Sequence, residues 1–179
     1  TLSEDDAIKL LRDAGAIVKR ENGSPGGWTF GIIEESDHIR DEHFALLRRI
    51  DNLTTVGMQG GRGTSSAAQQ LRDLPDVEVV SLVEVSMTDE DLEVLKTLPN
   101  LRDVRLYSYS TTGQVFEFTD RACDIVGELG DLKRLTLMLA KVTDRGVRQL
   151  SGLENLQEMA ISGVSASGMS ASSASTNWE

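Results

Sequence analysis

The chain has 179 residues, 39% apolar and 26% charged, with a formal net charge of -11 at pH 7. That length can bury a real core as one domain, and the acidic excess argues against a general nucleic-acid binder, whose affinity for phosphate comes from clustered Lys and Arg. A single cysteine, Cys123, excludes an intrachain disulfide, and no apolar run approaches the roughly 18 residues of a membrane span.

In chain order, residues 3 to 14 predict a helix. Ser3 and Asp6 are spaced as a capping pair, Ala7, Ile8, Leu10, Leu11 and Ala14 are apolar, and Gly15 supplies a stop. "AIVKR" and "WTFGII" then flank the turn-rich "ENGSPGG" and predict a two-stranded hairpin, with Trp28, Phe30 and Ile32 alternating onto one face.

From Arg40 onward the chain repeats itself. Copies begin at residues 40, 64, 88, 119 and 143, the best of them "TDEDLEVLKTLPNLRDVRL", "TDRACDIVGELGDLKRLTL" and "TDRGVRQLSGLENLQEMAI". Apolar columns spaced by three, such as Leu92, Leu95 and Leu98, suit one face of a short helix. After a turn carrying Asn52, Asp76, Asn100, Asp131 or Asn155 comes a spacing of two, Val104 then Leu106, which suits a strand. Each unit therefore reads as helix, turn and strand, and units that cannot bury their own apolar faces must stack. Thr-Asp at the start of three units supplies a capping oxygen and a negative charge at the helix N-terminus.

The runs "LxxLxL" at Leu101 to Leu106 and Leu132 to Leu137, with "TDRGVRQLSGLENLQEMAISG", resemble bacterial leucine-rich repeats of the ribonuclease-inhibitor-like class, built from T-D-x-G-L units of about 24 residues. The resemblance covers residues 37 to about 165. It implies an α/β solenoid: a right-handed βα superhelix with a concave parallel sheet and convex helices. Residues 1–36 then stand as an N-terminal cap of helix and hairpin, 37–161 as five repeats with an insertion near 109–115, and 162–179 as a degenerate repeat or a flexible Ser/Ala-rich tail. The chain departs from the family where the strand-end column reads Gly61, Val85, Ala140 and Val164 instead of Asn, Cys or Thr. An apolar spine replaces the usual hydrogen-bond ladder in that reading.

"LYSYSTTGQVFEF", residues 106 to 118, holds both tyrosines and two of the four phenylalanines. The register assigns Phe116 and Phe118 to the core. Tyr107 falls in an inner-face column with Gln59, Val83, Met138 and Ser162, and Tyr109 opens the insertion. With Val79, Arg105 and Arg134 from neighbouring columns, the expected partner-binding patch is Val79, Val83, Arg105, Tyr107, Tyr109, Arg134 and Met138, apolar and basic on an acidic molecule. Tyr and Arg are common interface anchors, and Met adapts to irregular partners.

Signs of other chemistry are weak. His38 and His43, in "DHIRDEH", match no zinc-finger or H-E-x-x-H spacing. "GMQGGRGTS" lacks the lysine of a phosphate-binding loop, and strand-to-helix turn chemistry explains its glycines. Cys123 occupies a core column. The eight carboxylates from Asp73 to Glu93, uninterrupted by Lys or Arg, read as a solvated face or a dock for a basic partner. The expectation is a non-enzyme without cofactor that binds another protein on the concave sheet and its adjacent loop. Alternatives are a structural or adhesive segment of a larger exported protein, and a metal-dependent module using the two histidines. A start at Thr1 accommodates a removed signal or a longer parent, so the compartment stays open.

Overall fold

Ser3 starts the first helix as its sequence suggests: its Oγ accepts the Asp6 N–H at 3.1 Å, and Asp6 Oδ2 accepts the Ser3 N–H at 3.3 Å. The computed structural model describes residues 2–21, 27–33, 38–60, 64–108, 118–139 and 141–163, with the backbone of 174–175. Helix α1 (Glu4–Asp13) buries Ala7, Ile8 and Leu11 and ends before Gly15, whose φ of 95° suits a residue without Cβ. Leu10, expected on the apolar face, is 45% exposed. At 100° per residue it points away from the Ala7–Leu11 side.

Strands β1 (Ile17–Arg20) and β2 (Trp28–Ile32) form the antiparallel hairpin. Phe30 and Ile32 are buried, and Phe30 meets Phe44 edge to face at 5.7 Å between centroids. Strand β2 also pairs in parallel with β3 (Leu53–Gln59), so the hairpin continues the same sheet.

Five helix-to-strand units follow. The first is α2 (Asp41–Phe44), a 3-10 turn at Ala45–Arg49, and β3. The second is α3 (Ser65–Gln70) with β4 (Val79–Val83), and the third a 3-10 helix at Asp89–Thr97 with β5 (Asp103–Ser108). The fourth is α4 (Asp120–Gly127) with β6 (Arg134–Leu139). The fifth is α5 (Asp144–Gln149), a 3-10 turn at Leu150–Gly152, and β7 (Glu158–Ser162). The two-residue β8 (Ala174–Ser175) pairs antiparallel with β7. Among the described residues the strands lie in one open sheet in chain order, parallel from β2 to β7, so the fold class is α/β.

The third unit's helix is 3-10 throughout rather than α. Its apolar residues Leu92, Leu95 and Leu98 recur every three and are buried, a spacing that the α-helical Cys123 and Val126 of the next unit share, so the period alone does not select 3-10 winding.

The register is continuous. Thr55, Val79, Asp103, Arg134 and Glu158 are successive Cα partners, so the longer interval between the third and fourth units is absorbed outside the strands. On the buried face lie Val56, Val80, Val104 and Leu135, and beside them Met58, Leu82, Leu106 and Leu137, none more than 1% exposed. Each such side chain contributes about 1.5–3 kcal/mol by leaving water. Phe118 is buried as expected, and Phe116 lies outside the described residues.

Two polar ladders tie the units together. At the helix starts, Asp41 accepts from the Thr64 hydroxyl, Asp89 from the Thr119 N–H and hydroxyl, and Asp120 from the Thr143 N–H and hydroxyl. Gly146 makes room for this, since a Cβ there would collide with Asp120 Oδ1. At the turns before the strands, Asp76 accepts the Asn52 N–H, and the Asn100 and Asn155 side chains donate to Pro75 O and Gly130 O. The strand-end column that lacks Asn is apolar at Val85, which is buried; Gly61, Ala140 and Val164 lie outside the described residues.

Candidate binding face of the sheet

Alternation along β3 to β7 sends one set of side chains into the core and the other to the opposite face. Pairing then sorts that opposite face into rows. One row runs Val79, Asp103, Arg134, Glu158; the next Ser81, Arg105, Thr136, Ala160; the third Val83, Tyr107, Met138, Ser162. Six residues of the expected patch therefore come together on β4, β5 and β6. The seventh, Tyr109, lies outside the described residues, as does the insertion that it opens. Val79, Val83 and Tyr107 are half-buried, while Met138 is 39% exposed.

The two arginines of the patch share one buried counter-charge. Asp103, two residues before Arg105 on β5 and the Cα partner of Arg134 on β6, is only 1% exposed, and both guanidinium groups close over it. Arg105 donates from Nε to Oδ1 at 3.1 Å and from Nη2 to Oδ2 at 2.7 Å, and Arg134 donates from Nε to Oδ2 at 2.9 Å. Burial pushes the Asp103 carboxyl up, but the hydrogen bonds from Arg105 and Arg134 outweigh it and hold the carboxyl below its ordinary pKa. The hydrogen bond to Asp103 likewise raises Arg105.

In the sequence register Asp103 shares the inner-face column of Val79 and Arg134, where no role attached to it. The signal was present: D-x-R puts Asp103 and Arg105 two apart on one strand face, and the unit register sets Arg134 directly beside Asp103. Recognising it required treating a column neighbour as a bonding partner.

At the carboxyl end of β4, Glu84 has a φ of 51°, in the left-handed region that a residue with a Cβ adopts at a cost. Its N–H donates to Tyr107 O at 2.8 Å, and its Oε1 is buried without a hydrogen-bond partner among the described residues.

The remaining candidates fall elsewhere. His43 Nδ1 accepts the Arg40 N–H at 3.0 Å, which occupies one of that ring's two nitrogens, and His38 is exposed. Among the described residues no group of three or more His, Cys, Asp and Glu is placed to hold a metal ion. In the glycine-rich stretch Gly57 lies within β3, Gly60 has a φ of 78°, and 61–63 lie outside the described residues. Cys123 is buried, and desolvation, with smaller contributions from Asp120, Asp124 and Asp89, pushes its thiol up to about 12. A thiol so placed is not the thiolate that nucleophilic chemistry needs.

Four of the eight carboxylates in the acidic run from Asp73 to Glu93 are engaged within the protein. Asp76 and Asp89 serve the ladders, Asp91 accepts from the Thr88 N–H at 2.8 Å and from the Ser65 hydroxyl, and Glu93 pairs with Lys96 and Arg121 at 2.7 and 3.2 Å. Among the described residues no helix is long and apolar enough to cross a membrane. No family model matches the chain, and no curated protein shows significant similarity to it.

Proposed function

We propose that the chain is a non-catalytic protein-binding module of the leucine-rich-repeat kind, a βα solenoid that takes its partner on the exposed, concave face of the sheet. The observation that carries this reading is the row Val83, Tyr107 and Met138 lying beside two anchored guanidinium groups on the sheet face opposite the core. Half-buried aliphatic and aromatic groups next to Arg are the composition of an interface centre. The five-unit register and the consecutive parallel strands support the repeat reading of the fold.

A second reading, a structural segment stacked against further material, is favoured by a different observation. At the last unit Val147, Leu156, Met159 and Ile161 are only half-buried, whereas Leu132, Leu135 and Leu137 in the unit before are covered.

The test is capture of partners from the source extract by the original chain and by a Tyr107→Ala, Met138→Asp variant whose folding is verified by circular dichroism. Capture that the variant loses supports the sheet-face reading. Equal capture by both removes the site from this face, and capture by neither favours the stacking role. Charge reversal at Arg105 or Arg134 is the poorer probe, because it would set a new carboxylate against the buried Asp103.

A further inference from the structure

We infer that the partner segment taken by this face is an extended acidic peptide whose carboxylate is bound by Arg105 and Arg134, with an apolar side chain two residues away seated on Tyr107 and Met138. The inference rests on the protein-binding reading and names the chemistry of its partner.

The first ground is what the Asp103 contacts leave over. A guanidinium group has five N–H donors. Arg105 spends donors on two nitrogens, Nε and Nη2, on Asp103, and Arg134 spends only Nε. The rest belong to side chains that are 44% and 49% exposed. Two cations share one buried anion, so the trio carries an excess positive charge on a molecule of formal charge -11. The ligand that complements this spot is an anion, and a planar carboxylate matches the guanidinium fork.

The second ground is preorganisation. A free surface arginine loses much rotamer freedom when it binds, whereas these two are already held in place by Asp103. Asp103 thus acts as a positioning residue: it orients both donors without itself meeting the ligand, being 1% exposed.

The third ground is spacing. Arg105 and Tyr107 lie two apart on β5, and Tyr107 is the Cα partner of Met138 on β6. Residues i and i+2 on one strand face are about 7 Å apart, the spacing of i and i+2 side chains in any extended peptide laid along the strands. A carboxylate over Arg105 therefore places an apolar side chain, two residues along, over the Tyr107 and Met138 row. Glu158, the Cα partner of Arg134 on the side away from Arg105, bounds the cationic spot toward β7. The carboxylate accordingly seats toward Arg105 and Thr136.

The test is a nuclear magnetic resonance titration of the whole chain, following arginine Nε–Hε and methionine methyl signals. The probe is acetyl-Leu-Ser-Glu-Ser-Leu-amide, compared with versions carrying Gln, Lys or phosphoserine in place of Glu. The expected result is saturable shifts of Arg105, Arg134 and Met138 with the Glu peptide, weaker by at least about tenfold with Gln and absent with Lys. An Arg134→Gln variant, which keeps the two-bond Arg105–Asp103 contact, should lose most of the binding; if it folds poorly, Arg134→Lys should give an intermediate loss.

Equal binding of the Glu and Gln peptides, or no movement of the arginine signals, would overturn the inference. Phosphoserine binding more than about tenfold tighter than Glu would transfer the anchor to phosphate and overturn the carboxylate assignment. Shifts of Met138 with the Gln peptide while the arginines stay still would leave the binding face standing and remove only its acidic anchor. Loss of the face itself is decided separately, by capture with the Tyr107 and Met138 variant.

Discussion

Asp120 accepts both the backbone N–H and the hydroxyl of Thr143, each at 2.7 Å. One carboxylate at a helix start thus holds the first residue of the next unit, while Thr143 Oγ1 in turn accepts the Arg145 N–H within its own helix start. Replacing Asp120 by Ala should cost about 1–2 kcal/mol, because two charge-assisted bonds from Thr143 are lost together. Thr143→Ala should cost less, since its N–H still reaches Asp120. A double-mutant cycle read by urea denaturation should show positive coupling, and strictly additive losses would deny that the pair acts as a link.

Asp103 predicts an acid-dependent term in stability. Its pKa is lowered in the folded chain, so its contribution is fully present above the unfolded value of about 3.9 and fades as pH falls through the folded value. Asp103→Asn should be clearly less stable than the original near neutral pH, because two guanidinium groups lose their counter-charge. That gap should narrow below about pH 4. Asp6, Asp120 and Glu128, whose pKa values are also lowered, keep some acid sensitivity in the variant. Denaturation midpoints from pH 7 to pH 3 measure the gap; a constant difference would show that Asp103 is not held as a charged partner.

Glu84 is a site where a substitution should stabilise. Glycine at a φ of 51° relieves the left-handed strain, and it removes the buried carboxylate oxygen that lacks a partner among the described residues. Glu84→Gly is expected to raise stability by about 1 kcal/mol despite the added freedom of the unfolded chain. A rise in the urea midpoint at unchanged slope is the readout, and a fall would mean that the side chain is more useful to the fold than its contacts indicate.

The end of the array should be soft. Leu137 is 1% exposed between neighbouring units, whereas the equivalent Ile161 on β7 is half-buried. Leu137→Ala should cost about 2–5 kcal/mol and Ile161→Ala well under that. Thermal unfolding of the two variants compares them directly, and equal losses would indicate that the β7 end is covered in solution.

Much of this fold was legible because its apolar columns recur. Leu92, Leu95 and Leu98 announced a helical face, Val104 and Leu106 a strand, and the 24-residue offsets fixed which residues are neighbours across the sheet. The capping pair Ser3 and Asp6 and the stop at Gly15 were readable for the same reason, since their bonds are local. Periodicity did not say that Asp89–Thr97 would wind as 3-10, because a spacing of three is shared by both helix types and local packing chooses between them.

By itself the sequence determined which residues lie in which column, because a strand or helix face is a matter of period. It also placed Val79, Val83, Arg105, Tyr107, Arg134 and Met138 on one surface. Only the tertiary structure decided that Arg105 and Arg134 are spent partly on Asp103, that Asp89 and Asp120 clasp the threonines of the next unit, and that Glu84 is strained. Those are contacts between side chains of different units or states of single dihedral angles, and distance, angle and burial settle them in three dimensions where column membership does not.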